Sequence, residues 1–233
     1  MPRPAAVLFD LWGTLVPPIP PSVRDVVSRE MAVDLGVAPG EFASAYRDSY
    51  RERFLGLTGT LQETVAALAR ACGGSPSTSA VTRAASRRLD LTRRLLASGA
   101  ATLEVLDELR QREFRLGLVS DSSCETPALW PASPLAARLE AVAFSCLLGA
   151  RKPDPRIYRC ALDALGCAAA DCVYVGDGGS HELSGAAALG MRAIRLRAAG
   201  DSPSDRYEDD ADFGGPVVAS LSDLLDLQWA RAS

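Results

Sequence analysis

Residues 5–15 read Ala5-Ala6-Val7-Leu8-Phe9-Asp10-Leu11-Trp12-Gly13-Thr14-Leu15. Five apolar residues run without a break and stop at Asp10. A strand buried on both faces of a parallel sheet reads this way, because neither face needs polar residues. An aspartate at a strand end, followed closely by glycine, is ordinarily a turn former. This segment alone therefore predicts a buried strand and assigns no chemistry.

The next residues change character. Pro17, Pro18, Pro20 and Pro21 exclude a helix and mark a hinge or linker. From about residue 22 to residue 97 the apolar spacing is helical, with about four helices expected. Phe42, Tyr46, Tyr50 and Phe54 recur every fourth residue, which predicts one aromatic helix face. Arg47, Arg51 and Arg53 are expected on a solvated face, with contact to an anionic ligand as the alternative. Beyond Gly99 the pattern alternates: helix through Leu103, Leu106 and Leu109, then strand 115–120, strand 140–146, helix 155–165, strand 172–176, helix 182–189 and strand 192–197. A short strand at Val217–Val218 and a helix at 221–229 close the chain. Strands alternating with helices argue a parallel sheet covered on both faces. The expected architecture is an α/β core, residues 1–16 and 98–233, interrupted by an all-helical domain, residues 17–97.

Ligands bind beyond the carboxyl ends of strands in such sheets, and three further clusters fall there. Val119-Ser120-Asp121 ends an apolar run, and a serine there is ordinarily a helix cap. Lys152 precedes Pro153 and is held extended, while Asp154-Pro155 opens a helix. Val175-Gly176-Asp177-Gly178-Gly179 closes another strand, and Glu182 follows at a helix start, where a carboxylate is favourably placed. Asp177 paired with Asp10 would suit Mg²⁺, a hard cation that takes oxygen ligands. The glycines match neither a Walker loop nor a dinucleotide fingerprint.

The whole chain narrows the classes. Its 233 residues are 48% hydrophobic and 23% charged, with a formal net charge of −4. No basic stripe for nucleic acid is present, and no apolar stretch approaches a membrane span. Six cysteines without a C-x-x-C pair, and one histidine, argue against zinc and for free thiols, making cytoplasm the default location. The acidic run from Asp201 to Asp212 is expected to be a solvated loop. Nothing specifies an oligomeric state.

Taken together and in order, Asp10-Leu-Trp-Gly-Thr14, Ser120, Lys152 and Gly176-Asp177…Glu182 resemble the four motifs of the haloacid dehalogenase-like hydrolase superfamily. The resemblance covers roughly residues 5–16 and 100–230. It implies a Rossmann-like parallel sheet core with helices on both faces, and it makes the helical insertion similar to a type 1 cap domain. It further implies hydrolysis of a small phosphate monoester, with Asp10 as nucleophile in an aspartyl-phosphate intermediate. By the same resemblance Asp10, Asp177 and the main-chain carbonyl of Trp12 would bind Mg²⁺. Glu182 would hold the metal shell, directly or through water. Lys152 would offset the charge of Asp10 and the phosphoryl oxygens. Ser120 and Thr14 would hydrogen-bond those oxygens, and Gly13 and Asp121 would stand beside the substrate.

One position departs from the pattern. Phosphatases of the superfamily commonly carry an acid two residues after the nucleophile, where this chain has Trp12. The 2-haloacid dehalogenases carry tyrosine there and use no metal, so a metal-independent dehalogenase is the alternative. A phospho-ligand binder with weak turnover is a third reading. Against the dehalogenase stand Ser120-Asp121, where those enzymes usually have Ser-Asn, and Asp177, whose charge without Mg²⁺ would repel Asp10.

Overall fold

The computed structural model describes residues 3–97, 99–197 and 209–230. Six strands form one parallel sheet: β1 (Ala6–Phe9), β2 (Arg115–Ser120), β3 (Ala141–Phe144), β4 (Cys172–Gly176), β5 (Arg192–Leu196) and β6 (Val217–Val218). Their spatial order is β3-β2-β1-β4-β5-β6, the doubly wound order. The order in which the chain visits the strands reverses between β1 and β4, so the ends of these two strands flank the crevice where such folds bind ligands.

The first strand is buried on both faces, as its unbroken apolar run requires. Val7 and Phe9 point into one core layer with Leu116, Leu118, Val173 and Val175. Ala6 and Leu8 point into the opposite layer with Val119, Tyr174, Ile157 and Leu165. The period of two in a strand makes this split obligatory. On the first face lies α6 (Ala100–Gln111), through Val105, Leu106 and Leu109. On the second lie α9 (Pro155–Leu165) and α10 (Glu182–Ala188). Two short helices, α7 (Glu125–Leu129) and α8 (Ser145–Leu148), follow β2 and β3.

Between β1 and α6 the chain forms five helices rather than about four: α1 (Pro21–Leu35), α2 (Pro39–Asp48), α3 (Tyr50–Phe54), α4 (Leu61–Ala71) and α5 (Thr78–Leu95). They share a separate core of Met31, Phe42, Val65, Ala84 and their neighbours, with no sheet residue in it. Gly36 ends α1 in the left-handed conformation, and a Thr60/Glu63 capping box starts α4.

The aromatic spacing does not lie on one continuous helix. Phe42 and Tyr46 stack at 6.1 Å within α2, whereas Tyr50 and Phe54 meet edge-to-face at 5.8 Å within α3. The break falls at Ser49, whose hydroxyl donates to Tyr46 O at 2.9 Å, and Arg53 donates to the same carbonyl at 3.0 Å. Side-chain donors on a helix carbonyl bend helices. The strand expected at 140–146 stops at Phe144, where α8 begins. The helix expected at 221–229 is only a 3₁₀ turn, Ser222–Asp226. Asp223 accepts there from the backbone of Ala219 and Ser220, and the chain is extended again at Leu227.

Most of the acidic run lies outside the described residues. At its described end Asp210 is buried, not solvated. It accepts from Ser184 N at 2.7 Å and from the Ser184 hydroxyl, and Asp209 pairs with Arg195 at 3.4 Å. All six cysteines are free thiols. No described helix is long and apolar enough to cross a membrane.

Candidate active site

Four charged side chains from four different segments meet at the β1/β4 crevice. Asp10 follows β1, Asp177 follows β4, Glu182 opens α10, and Lys152 lies in the loop before α9. Carboxylate oxygens of Asp10, Asp177 and Glu182 all lie within 4.8 Å of one another. Lys152 Nζ donates to Asp10 Oδ1 at 2.5 Å and also to Glu182 Oε2. All four residues are at most 6% exposed, so their charges interact with little screening by water.

Burial at this density makes each ionisation depend on its neighbours. Burial and the adjacent Asp177 push the Asp10 carboxyl up to about 6, against the pull of Lys152. Burial and Asp10 likewise hold Glu182 well above the ordinary carboxylate range. For Lys152, burial opposes the charge, but Asp10, Glu182 and Asp121 outweigh it, so the ammonium persists. Three carboxylates around one lysine leave an excess of negative charge, and hard oxygen donors at this separation fit a divalent cation such as Mg²⁺.

The glycines of the motifs make this approach possible. Gly13 has φ +88°, and a Cβ there would sit 2.5 Å from Asp177 Oδ2. A Cβ on Gly176 would overlap Glu182 Oε1. Glu182 is fully engaged by the protein. Its Oε1 accepts from Gly178 N at 2.8 Å, and its Oε2 accepts from Tyr174 Oη at 2.9 Å as well as from Lys152. Asp177 Oδ1 accepts from Gly179 N at 2.9 Å.

Other residues of the motifs take different places. Asp121 Oδ1 accepts from Lys152 N at 2.9 Å, and Arg151 lies 3.6 Å from its other oxygen. Asp121 therefore ties the lysine loop to the end of β2. Ser120 is fully buried and shares a 2.7 Å hydrogen bond with Ser122, and Ser122, not Ser120, lines the cavity. Thr14 is buried, with no partner for its hydroxyl among the described residues. His181 is half-exposed and left-handed, 3.9 Å from Asp210.

A cavity of about 240 Å³ opens from Asp10, Trp12, Lys152 and Asp177 toward the helical insertion. Its far residues include Tyr46, Arg53 and Arg88. Arg53, expected on a solvated face, is only 7% exposed and lies 4.1 Å over the Tyr46 ring. Arg88 on α5 pairs at 2.8 Å with the buried Glu125 on α7. Burial disfavours that carboxylate, yet Arg88 and Arg53 outweigh the penalty and hold it below its ordinary value. Arg53 reaches Ser123 at 3.4 Å, and Arg151 reaches Tyr50 Oη at 3.3 Å. These contacts join insertion and core around the cavity. The local sequence carries no signal for them, because the partners are 37 to 101 residues apart.

The family model for haloacid dehalogenase-like hydrolases matches residues 4–190. The chain belongs to that family. It is 32% identical over 97 residues to phospholysine phosphohistidine inorganic pyrophosphate phosphatase from Homo sapiens, covering 40% of this chain and 36% of that protein. It is 30% identical over 123 residues to phosphatase MT3486 from Mycobacterium tuberculosis (strain CDC 1551 / Oshkosh), covering 52% of each. The chain thus spans about half or less of the length of these relatives. In fold it is similar to the L-2-haloacid dehalogenase from Xanthobacter autotrophicus, with a TM-score of 0.63, 20% identity and coverage of 98% and 99% of the two chains.

Proposed function

We propose that this protein is a Mg²⁺-dependent phosphoric monoester hydrolase acting through an aspartyl-phosphate on Asp10. The observation that carries this reading is the cluster of Asp10, Asp177 and Glu182 around Lys152 at the β1/β4 crevice. Asp177 beside an anionic nucleophile works against the nucleophile and adds to the burial that raises the Asp10 pKa. That carboxylate is an asset where a cation binds and a liability where none does. Asp10, Asp177 and the Trp12 carbonyl would hold Mg²⁺, which supplies charge neutralisation for the phosphoryl oxygens. Both Glu182 oxygens serve Lys152, Tyr174 and Gly178, so Glu182 would act on the metal shell through water.

In this reading the ionised Asp10 carboxylate attacks phosphorus in line with the ester oxygen, and the alkoxide leaves. Lys152, held in its charged form by the surrounding carboxylates and 2.5 Å from Asp10, offsets the charge gathered on the carboxylate and the phosphoryl group. Glu182 positions the ammonium, and Asp121 positions its backbone. Water then cleaves the aspartyl-phosphate. The helices of residues 17–97 act as a cap that excludes bulk water during attack, with Pro17–Pro21 as its hinge.

Trp12 favours a second reading. It lines the cavity where an acid/base group would serve the leaving oxygen, and indole cannot do that work. A 2-haloacid dehalogenase needs no leaving-group acid, because halide departs unprotonated. The discriminating experiment is phosphate release from an aryl phosphate with Mg²⁺ and with EDTA, using Asp10→Asn as blank and Asp177→Ala as the metal variant. Release that requires Mg²⁺ and Asp10, and that needs more Mg²⁺ in Asp177→Ala, is expected. No phosphate release, with chloride release from 2-chloropropionate, would replace this reading with the second.

A further inference from the structure

The helical insertion places an unmatched positive charge in the wall of the cavity. Arg53 is buried, and its guanidinium donates to three neutral oxygens: Ser49 Oγ at 3.1 Å, Tyr46 O at 3.0 Å and Ser123 Oγ at 3.4 Å. A guanidinium has five N–H donors, so two are left without an acceptor among the described residues. No described carboxylate pairs with Arg53. Glu125, whose ionisation Arg53 favours from a distance, is committed to Arg88 at 2.8 Å. The charges of Arg88 and Arg53 both favour the Glu125 carboxylate, which pairs directly with Arg88. A buried charge without a direct partner is costly and persists where a ligand supplies the counter-charge.

Tyr46 adds an independent observation. It lines the same cavity, and its hydroxyl is buried with no hydrogen-bond partner among the described residues. Buried hydroxyls without partners are uncommon in folded proteins. The Arg53 guanidinium lies 4.1 Å over the Tyr46 ring, so the two groups hold one another in place. The cavity as a whole is polarised. The insertion contributes four arginines against one aspartate, whereas the core contributes three aspartates against Lys152.

We propose that Arg53 and Tyr46 form a receptor for a second anionic group of the substrate, a carboxylate or a second phosphoryl group on a short carbon chain. This rests on the reading of Asp10 as nucleophile toward a phosphate ester. The reacting phosphoryl group occupies the core end with Lys152, and the second anion occupies the insertion end. The Arg53 fork supplies the two remaining N–H donors, and the Tyr46 hydroxyl supplies a third. A cavity of about 240 Å³ suits a small substrate, so a short carbon chain is the linker of choice between the two anions.

Calorimetric binding in Mg²⁺ buffer tests this without turnover. The probes are propylphosphonate, 3-phosphonopropionate and 1,3-propylenediphosphonate, which share a three-carbon chain and differ in the far group. The native chain should bind at least one anionic-tailed probe about tenfold or more tighter than propylphosphonate, as charge-assisted hydrogen bonds require. The preferred tail identifies the natural one. Arg53→Met and Tyr46→Phe should each bring that preference within about threefold and leave propylphosphonate binding unchanged. Tyr46→Phe removes an oxygen with no protein partner, so it remains informative if Arg53→Met fails to fold. Equal binding of all three probes, no binding of any, or a preference undiminished in both variants overturns the proposal. Failure of the phosphatase reading registers separately, as absent phosphate release with the binding preference intact.

Discussion

Replacing the nucleophile should stabilise the protein when no metal is bound. Asp10 is 4% exposed, and burial together with Asp177 lifts its carboxyl from the ordinary 3.8 to about 6. The folded state therefore binds this proton more tightly than the unfolded state does. Its stabilising contribution is complete below about pH 4 and is lost as pH rises through about 6. At about 1.4 kcal/mol per pH unit, the ionised Asp10 costs the metal-free fold about 3 kcal/mol at pH 7. An asparagine side chain in its place would carry no charge and would still offer Lys152 an oxygen acceptor, so Asp10→Asn should recover much of that cost. For a chain of this size the gain corresponds to a melting temperature about 6–12 °C higher in EDTA at pH 7. The gap should close as pH falls toward 4. Millimolar Mg²⁺ should raise the melting temperature of the native chain and not that of Asp10→Asn, because a bound cation neutralises the same carboxylates. Thermal unfolding from pH 4 to 7, with and without Mg²⁺, measures all three effects. An Asp10→Asn chain no more stable than the native one at pH 7 in EDTA would refute the reasoning, as would a gap that ignores pH.

Trp12→Asp should raise kcat on an aryl phosphate by about tenfold or more, since general acid catalysis contributes on the order of 10²–10⁴-fold; an unchanged rate would count against a missing acid. Gly176→Ala should abolish activity and destabilise the fold, because its Cβ overlaps Glu182 Oε1 and must displace the carboxylate that holds Lys152. Activity and melting temperature near native would show that Glu182 can move freely. Glu125→Gln should cost about 3 kcal/mol or more in urea unfolding, because it leaves the 11%-exposed Arg88 buried without its carboxylate. A loss below about 1 kcal/mol would show that the pair is effectively solvated.

The Asp10→Asn effect and the Glu125 pair mark two different depths of legibility. Strand 115–120, strand 172–176 and helix 155–165 lie in the structure where their spacing places them. Such segments are buried on both faces or carry one apolar stripe, and that burial is written into consecutive residues. The four motifs are legible for a related reason, since each is a strand end followed by a turn, and the doubly wound order carries those ends to one edge. The break at Ser49 is not legible, because the spacing of Phe42, Tyr46, Tyr50 and Phe54 continues through it while side-chain donors take the Tyr46 carbonyl. Arg53 reads as a surface residue because nothing in its own helix shows what folds over it. Glu182 reads as a member of the metal shell, directly or through water, but the local sequence does not show that its carboxylate also accepts from Lys152, Tyr174 and Gly178.

The sequence by itself determined the α/β class, the sheet-forming segments and the residue types at the strand ends, because local periodicity and buried apolar runs are properties of neighbours along the chain. Only the tertiary structure decided which charged groups meet outside the motifs. Arg88 and Glu125 are 37 residues apart, and Arg53 and Ser123 are 70 residues apart. The partner of each group is brought up by folding, and no local pattern encodes it.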